Sequence, residues 1–164
     1  MSQVGEASYA LDWLNRIDAL RRTDPRYSCH AATVHTEANR YTNVAPYDGA
    51  VLPGPYINAS LIPPLPDAER GFPCIASQAP LPATYQTFFE HICTQKSRVI
   101  LNLTPLEERG ITKSDRYWPW DTASPLLIGP WSVALLSIES ASEAFPGTKA
   151  VSYTHLRAHE TKAN

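Results

Sequence analysis

Residues 84–103, TYQTFFEHICTQKSRVILNL, change their hydrophobic period halfway along. In the first half, four apolar side chains recur at helical spacing and fall on one face: Tyr85, Phe88, Phe89 and Ile92. Thr84 stands where its hydroxyl could cap that helix. In the second half, residues 99–103 form an apolar run broken only by Asn102, which is typical of a strand buried on both faces of a sheet. The stretch therefore predicts a helix followed by a central strand.

Further elements extend this pattern towards both termini. A helix is predicted over residues 11–22, where apolar side chains recur at three-residue steps, and the Asp24-Pro25 pair ends it. Residues 27–38 show no clear period and are interpreted as a loop. Short strands are predicted at residues 51–52, 56–62, 74–78 and 131–139. The order of these elements indicates an α/β fold, with a mixed sheet flanked by helices.

Composition limits the class of protein. The 164 residues fit a single domain. A formal net charge of −2 supplies no broad basic surface, so we expect no nucleic-acid partner. No apolar run approaches the about 18 residues of a transmembrane helix, and the first ten residues lack a secretory signal, so we expect no membrane span. Three widely spaced cysteines suit reduced thiols rather than disulfides, which favours a cytoplasmic protein.

Four collinear stretches carry the functional signal. They read NRYTNVAPYD at residues 39–48, YINAS at 56–60, QAPLPAT at 78–84, and SRVILNL at 97–103 followed by ERG at 108–110 and KSDRYWP at 113–119. Taken together, they resemble the first half of the catalytic domain of protein tyrosine phosphatases. The resemblance covers about residues 11–150 and is densest over residues 39–119.

This resemblance implies an activity and its partners. The complete domain would hydrolyse protein phosphotyrosine through a cysteinyl-phosphate intermediate, without a cofactor, and its partners would be phosphotyrosine-containing signalling proteins. That chemistry needs a slot for an aromatic ring, a thiolate, donors around the phosphate and an acid for the departing phenol. The oligomeric state is left open.

Two residues near the start of the dense region are candidate substrate-binding residues by this resemblance. Tyr41 would be the aromatic wall on which the substrate ring stacks, and the turn around Asn43 would meet the substrate backbone. The family commonly has an aspartate where this chain has Asn43. Because charge-assisted hydrogen bonds are stronger than neutral ones, we expect a weaker or differently aimed grip on the peptide. The alternative for Tyr41 is a half-buried turn tyrosine.

Two residues after the apolar run take supporting roles by the same resemblance. Glu108 would pair with the phosphate-binding arginine, and Lys113 would reach the mobile acid loop. The alternative for both is a charged, solvated hairpin. Tyr117, Trp118 and Pro119 match a structural segment that packs under the sheet, rather than the acid loop.

The chain contains no catalytic residues of this family. The nucleophile belongs to a glycine-rich Cys-x5-Arg loop, but the residues six places after the three cysteines are His35, Pro80 and Val99. The acid loop is likewise absent from the sequence. We therefore expect the chain itself to be inactive. The cysteines and histidines show no metal-ligand spacing, so we expect no metal.

Residues 151–164 form a tail without strand or helix period. The tail resembles translated adapter or vector DNA, so we assign residues 1–150 to the phosphatase-like domain and residues 151–164 to a non-native tail. The alternative is a natural flexible C-terminus. For function, two alternatives to a phosphatase fragment remain: an inactive module that binds phosphotyrosine or protein, and a chain with no function on its own.

Overall fold

The computed structural model describes residues 3–64, 71–140, 149–153 and 157–158. The chain divides into two compact units, residues 1–78 and residues 79–164, and each is described separately. Among the described residues, no helix has the length and apolar character that crossing a bilayer requires.

The first unit begins with helix α1, Gln3–Thr23, which confirms the predicted helix and extends it towards the N-terminus. The helix ends where predicted, because Pro25 follows and begins a short 3-10 turn, Pro25–Tyr27, capped by Asp24. The apolar stripe of α1 does not form a buried face: Leu11, Leu14 and Leu20 are exposed.

The predicted loop over residues 27–38 is partly helical. It contains the short helix α2, His30–Val34, and a 3-10 turn, Thr36–Ala38. The Cys29 side chain makes no capping bond to α2. The cap comes instead from the Asp48 carboxylate, which accepts hydrogen bonds from the backbone N–H groups of His30 and Ala31 at 2.9 Å each. A cap so distant in sequence leaves no local signal.

Two antiparallel strands follow in the described part of the first unit. Strand β1, Ala59–Ile62, pairs with strand β2, Cys74–Ser77, in a register that sets Ala59 opposite Ser77. These strands confirm two of the predictions. The strand predicted at residues 51–52 is reduced to a single bridge between Val51 and Ser60. Buried apolar residues cluster around β1 and α2: Ala32, Ala38, Leu52, Ile57 and Ala59.

The second unit is organised around helix α3, Tyr85–Thr94, which confirms the predicted helix. Phe88 and Phe89 are buried, and their rings meet edge to face at 5.5 Å. The predicted cap is wrong, because Thr84 makes no side-chain capping bond to α3. Its hydroxyl accepts from the Leu81 N–H at 3.0 Å and donates to the Leu81 carbonyl at 3.1 Å, closing the turn before the helix.

The strands of the second unit form small antiparallel sheets. Strands β3 (Glu107–Glu108) and β4 (Ile111–Thr112) make a hairpin, β5 (Leu126–Ile128) pairs with β6 (Trp131–Val133), β7 (Leu135–Ser140) pairs with β8 (Lys149–Tyr153), and β9 (Arg157–Ala158) pairs with β6. The single strand predicted at residues 131–139 is therefore two strands. The expectation that residues 151–164 lack regular structure is wrong for residues 151–153 and 157–158.

The predicted central strand at residues 99–103 is wrong for this chain. No strand is assigned there, and three of its side chains are largely exposed, with Val99 at 81%, Leu101 at 71% and Leu103 at 80%. A strand buried on both faces requires neighbours that accept its backbone hydrogen bonds and cover its side chains. Within the part of the chain that the structure describes, no strand pairs with these residues.

Candidate functional site

The candidate recognition segment, residues 39–48, lies in the first unit between the turn that ends at Ala38 and the turn Asp48–Ala50. Tyr41 is 41% exposed, and Asn43 is exposed beside it. Pro46 is buried, and the Tyr47 ring contacts the Tyr27 ring edge to face at 5.4 Å. The segment therefore has a packed end and an exposed end, and both candidate substrate-binding residues lie at the exposed end.

Three amide side chains hold the exposed end at its two flanks. The Gln78 side chain accepts from the Arg40 N–H and donates to the Ala38 carbonyl, both at 2.8 Å. Asn58 donates to the Val44 carbonyl at 2.7 Å and to the Asn39 side-chain oxygen at 2.9 Å. We call Asn39, Asn58 and Gln78 the amide frame.

Asp48 anchors the packed end of the segment. Its carboxylate accepts from the Ser28 hydroxyl as well as from the backbone of α2, and its own N–H donates to the Ser28 carbonyl at 2.7 Å. These hydrogen bonds, from the Ser28 hydroxyl first and the Ala31 N–H next, lower the pKa of Asp48. The carboxylate is therefore ionised at neutral pH and acts as an acceptor.

The other two candidate residues lie on the β3–β4 hairpin of the second unit. Glu108 is exposed at the end of β3, and Lys113 is half-buried just after β4, where its N–H donates to the Leu106 carbonyl at 2.9 Å. The turn residues Arg109 and Gly110 both have positive φ, 53° and 75°. This is the backbone of a two-residue hairpin turn whose twist matches the strands. The side chains of Glu108 and Lys113 are thus carried by a defined hairpin.

The segment that follows the hairpin is structural. Tyr117 is 6% exposed, and its ring meets the Phe88 ring of α3 edge to face at 5.2 Å. Burial raises the pKa of Tyr117. Arg116 stacks on the Trp120 ring at 3.7 Å and donates to the Pro119 carbonyl at 2.7 Å. The predicted structural role is therefore observed, but the described ring contacts of Tyr117 are with helix α3 and with Trp118 rather than with a sheet.

The three cysteines are free thiols. Burial raises the pKa of Cys93. A cysteine nucleophile needs the opposite shift, because the thiolate is the reactive form. Cys93 thus has the character of a packed thiol on α3, as its lack of a Cys-x5-Arg spacing indicates.

The sequence alone does not identify the supporting residues. Asn39, Asn58, Gln78 and Asp48 all lie inside the quoted motifs, but their spacing predicts no bonds among them. Asn58 offered the clearest signal, since it is an amide between the apolar residues Ile57 and Ala59. It is 6% exposed, and a buried amide requires hydrogen-bonding partners.

Known proteins resemble the chain in sequence and in fold. A sequence model of the family described as "Protein-tyrosine phosphatase" matches residues 35–163. Human tyrosine-protein phosphatase non-receptor type 13 is 45% identical over 85 residues, which are 49% of this chain and 3% of that protein. The solved catalytic domain of human protein tyrosine phosphatase non-receptor type 18 is 23% identical, with a TM-score of 0.74.

The match to the solved non-receptor type 18 domain covers 92% of this chain and 60% of the solved chain. A structure of PTPN18 in complex with HER2-pY1248 phosphopeptides is similar at 24% identity and a TM-score of 0.72, and the match covers 90% of this chain and 60% of that one. These two likenesses concern the fold, and they confirm the predicted α/β class. The chain thus spans three fifths of the solved domain and a small part of the much longer curated relative.

Proposed function

Because the chain belongs to the protein tyrosine phosphatase family, we propose that the complete protein hydrolyses phosphotyrosine in other proteins through a cysteinyl-phosphate intermediate. The observation that carries the proposal is the family match over residues 35–163. The 164 residues contain no Cys-x5-Arg loop, so the attacking thiolate and the phosphate-binding arginine would come from sequence outside them.

In this proposal the first unit contributes to recognition of the substrate. Tyr41 stacks on the phosphotyrosine ring, and Asn43 hydrogen-bonds the substrate backbone. The exposure of Tyr41 on a segment held at both flanks supports this role. Partners are phosphotyrosine-containing proteins, in line with the phosphopeptides bound by PTPN18.

The second unit contributes groups that act on catalytic residues outside the chain. Glu108 orients the arginine that binds phosphate, and Lys113 contacts the loop that carries the acid. The hairpin supports these roles because a defined turn presents both side chains from a fixed backbone. Neither residue touches the phosphorus-bearing group, so both are positioning residues.

We further propose a cytoplasmic location and a part in signalling. A reaction that depends on a free thiolate requires a reducing compartment, and the three cysteines of the chain are free thiols. We retain the proposal that residues 151–164 are a non-native tail, even though some of them occupy strands.

The test compares two polypeptides. One is the 164-residue chain, and the other replaces residues 150–164 with the translation of the natural DNA that follows the codon for Lys149. We expect no turnover of a phosphotyrosyl peptide by the first and turnover by the second, abolished when the cysteine of its Cys-x5-Arg loop is changed to serine. Natural DNA that encodes no such loop would reject the proposed activity, and natural DNA that encodes residues 151–164 as they stand would reject the tail proposal.

A further inference from the structure

We propose that the amide frame, Asn39, Asn58 and Gln78, consists of positioning residues that fix the backbone of residues 40–44 and thereby set the direction in which Tyr41 is presented. The inference deepens the proposed function, on which the role of Tyr41 rests. It assigns a part in recognition to three side chains that support the backbone of residues 40–44 instead of contacting the substrate.

Asn39 is the hub of the frame. Its side-chain oxygen accepts from the Tyr56 hydroxyl at 2.7 Å and from Asn58 at 2.9 Å. Its side-chain nitrogen donates to the carbonyls of Ala32 at 2.9 Å and His35 at 3.0 Å. A primary amide has two donors and two acceptor positions, so the bonding capacity of Asn39 is filled. A saturated amide has one orientation, which ties the start of the segment to α2.

Asn58 and Gln78 hold the backbone on both sides of Tyr41 by hydrogen bonds. Gln78 holds the Arg40 N–H on one side, and Asn58 holds the Val44 carbonyl on the other. The two residues are themselves joined, because the Gln78 N–H donates to the Asn58 carbonyl at 3.1 Å. The five residues 40–44 are therefore fastened at both ends to one connected base. The side chains of residues 41–44 are exposed above it.

Fastening both ends has a consequence for binding. A loop that samples many conformations loses entropy when a ligand selects one of them. A loop that is already fixed loses less entropy on binding. An exposed aromatic ring on such a loop therefore binds a second ring at a lower entropic cost. The frame bonds would be equally useful to a protein that only needed a stable turn. The experiment must therefore separate positioning of Tyr41 from general stability.

Gln78 offers a matched pair of variants for this purpose. Gln78→Met keeps the length of the side chain but removes both bonds. Gln78→Glu loses the donor to Ala38 and keeps the oxygen that accepts from the Arg40 N–H. Leu52→Val is the control, because Leu52 is 3% exposed in the same unit and makes no bond to the frame. We expect this substitution to lower the free energy of unfolding while the side chains of the frame stay unchanged.

Two readouts are taken on the 164-residue chain: amide hydrogen exchange at Arg40, and the resonance of fluorotyrosine at position 41, assigned with Tyr41→Phe. We expect Gln78→Met to accelerate exchange at Arg40 about tenfold and to shift or broaden the Tyr41 resonance, since the partly buried hydrogen bond from the Arg40 N–H is lost. Gln78→Glu should restore most of the Arg40 protection. The control should leave the Tyr41 resonance unchanged.

The proposal is overturned if Gln78→Met leaves the Tyr41 resonance as in the wild type. It is also overturned if Leu52→Val reproduces the effects of Gln78→Met, because the frame would then act through stability alone. A separate titration with a phosphotyrosyl peptide tests the proposed function, using the extended polypeptide with the cysteine of its Cys-x5-Arg loop changed to serine, with and without Tyr41→Ala. Equal affinity of these two proteins removes the role of Tyr41 in recognition, while the exchange and resonance data still judge the frame.

Discussion

Tyr41 is the residue on which recognition in the proposed function depends most. In the polypeptide extended by the natural downstream sequence, we expect Tyr41→Ala to raise KM for a phosphotyrosyl peptide about tenfold, since ring stacking contributes about 0.5–1.5 kcal/mol beyond burial. Tyr41→Phe keeps the ring and should keep KM. Steady-state kinetics with both variants check this. An unchanged KM in Tyr41→Ala would show that the ring is not part of the slot.

Asp48 contributes stability that depends on pH. Its pKa in the folded protein lies below the ordinary value of 3.8, so the contribution is complete above that value and is lost as pH falls through the folded pKa. We expect Asp48→Ala to lower the free energy of unfolding by about 1–2 kcal/mol at pH 7, as loss of a helix cap does. The deficit should shrink below pH 3.8.

Denaturant unfolding of wild type and Asp48→Ala at several pH values measures that deficit. Asp48→Asn serves as the control, because it keeps an acceptor but cannot titrate, and its deficit should be smaller. A deficit for Asp48→Ala that does not shrink at any pH below 3.8 at which the wild type is still folded would contradict the assignment, since the anion would then not be the form that holds α2.

At the scale of the element, the turn of the β3–β4 hairpin requires positive φ at two residues, and only one of them is a glycine. Arg109 is in the left-handed region with a side chain that disfavours it, whereas Gly110 tolerates its positive φ. A Cβ at Gly110 would meet nothing within 4 Å, so the cost of Gly110→Ala is conformational alone. We expect this substitution to weaken the hairpin by about 1 kcal/mol.

Arg109→Asn is the matched opposite, because Asn-Gly is the preferred pair for such a turn. It should increase the hairpin population while Gly110→Ala decreases it. Backbone chemical shifts of residues 107–112 report the population. If the chemical shifts of residues 107–112 change from their wild-type values in the same way in both variants, the turn does not have the described backbone. In the extended polypeptide, kcat should follow the hairpin population if Glu108 and Lys113 act from this turn.

The elements that could be predicted from the sequence are those whose signal is local. Helices α1 and α3 follow from the helical spacing of their apolar residues, and Pro25 marks the end of α1. Strand β2 follows from a short apolar stretch bounded by prolines. Helix α2 could not be predicted, because Asp48 caps it from a later part of the chain. The amide frame could not be predicted for the same reason, because Gln78 and Arg40 are 38 residues apart. Periodicity does not specify which distant groups meet.

The failure at residues 99–103 belongs to the scale of the whole molecule. The pattern is that of a strand covered on both faces, yet the described chain leaves Val99, Leu101 and Leu103 mostly exposed. The solved domain of the same fold is longer, since the chain covers 60% of it. Under the proposed function, in which the complete domain is longer than these 164 residues, we expect further chain to supply the pairing strand and the cover.

This inference predicts opposite consequences for one substitution in two proteins. In the 164-residue chain, Leu101→Lys should leave the free energy of unfolding unchanged and should reduce light scattering and hydrophobic-dye fluorescence, since it removes exposed apolar surface. In the extended polypeptide the same change should destabilise by about 3 kcal/mol or more, because a buried leucine is lost and an unpaired charge enters the core.

Ile57→Lys, at a position 6% exposed, should destabilise both proteins. If Leu101→Lys is harmless in both, added chain does not bury the stretch. If it destabilises both, residues 99–103 are already packed in the shorter chain.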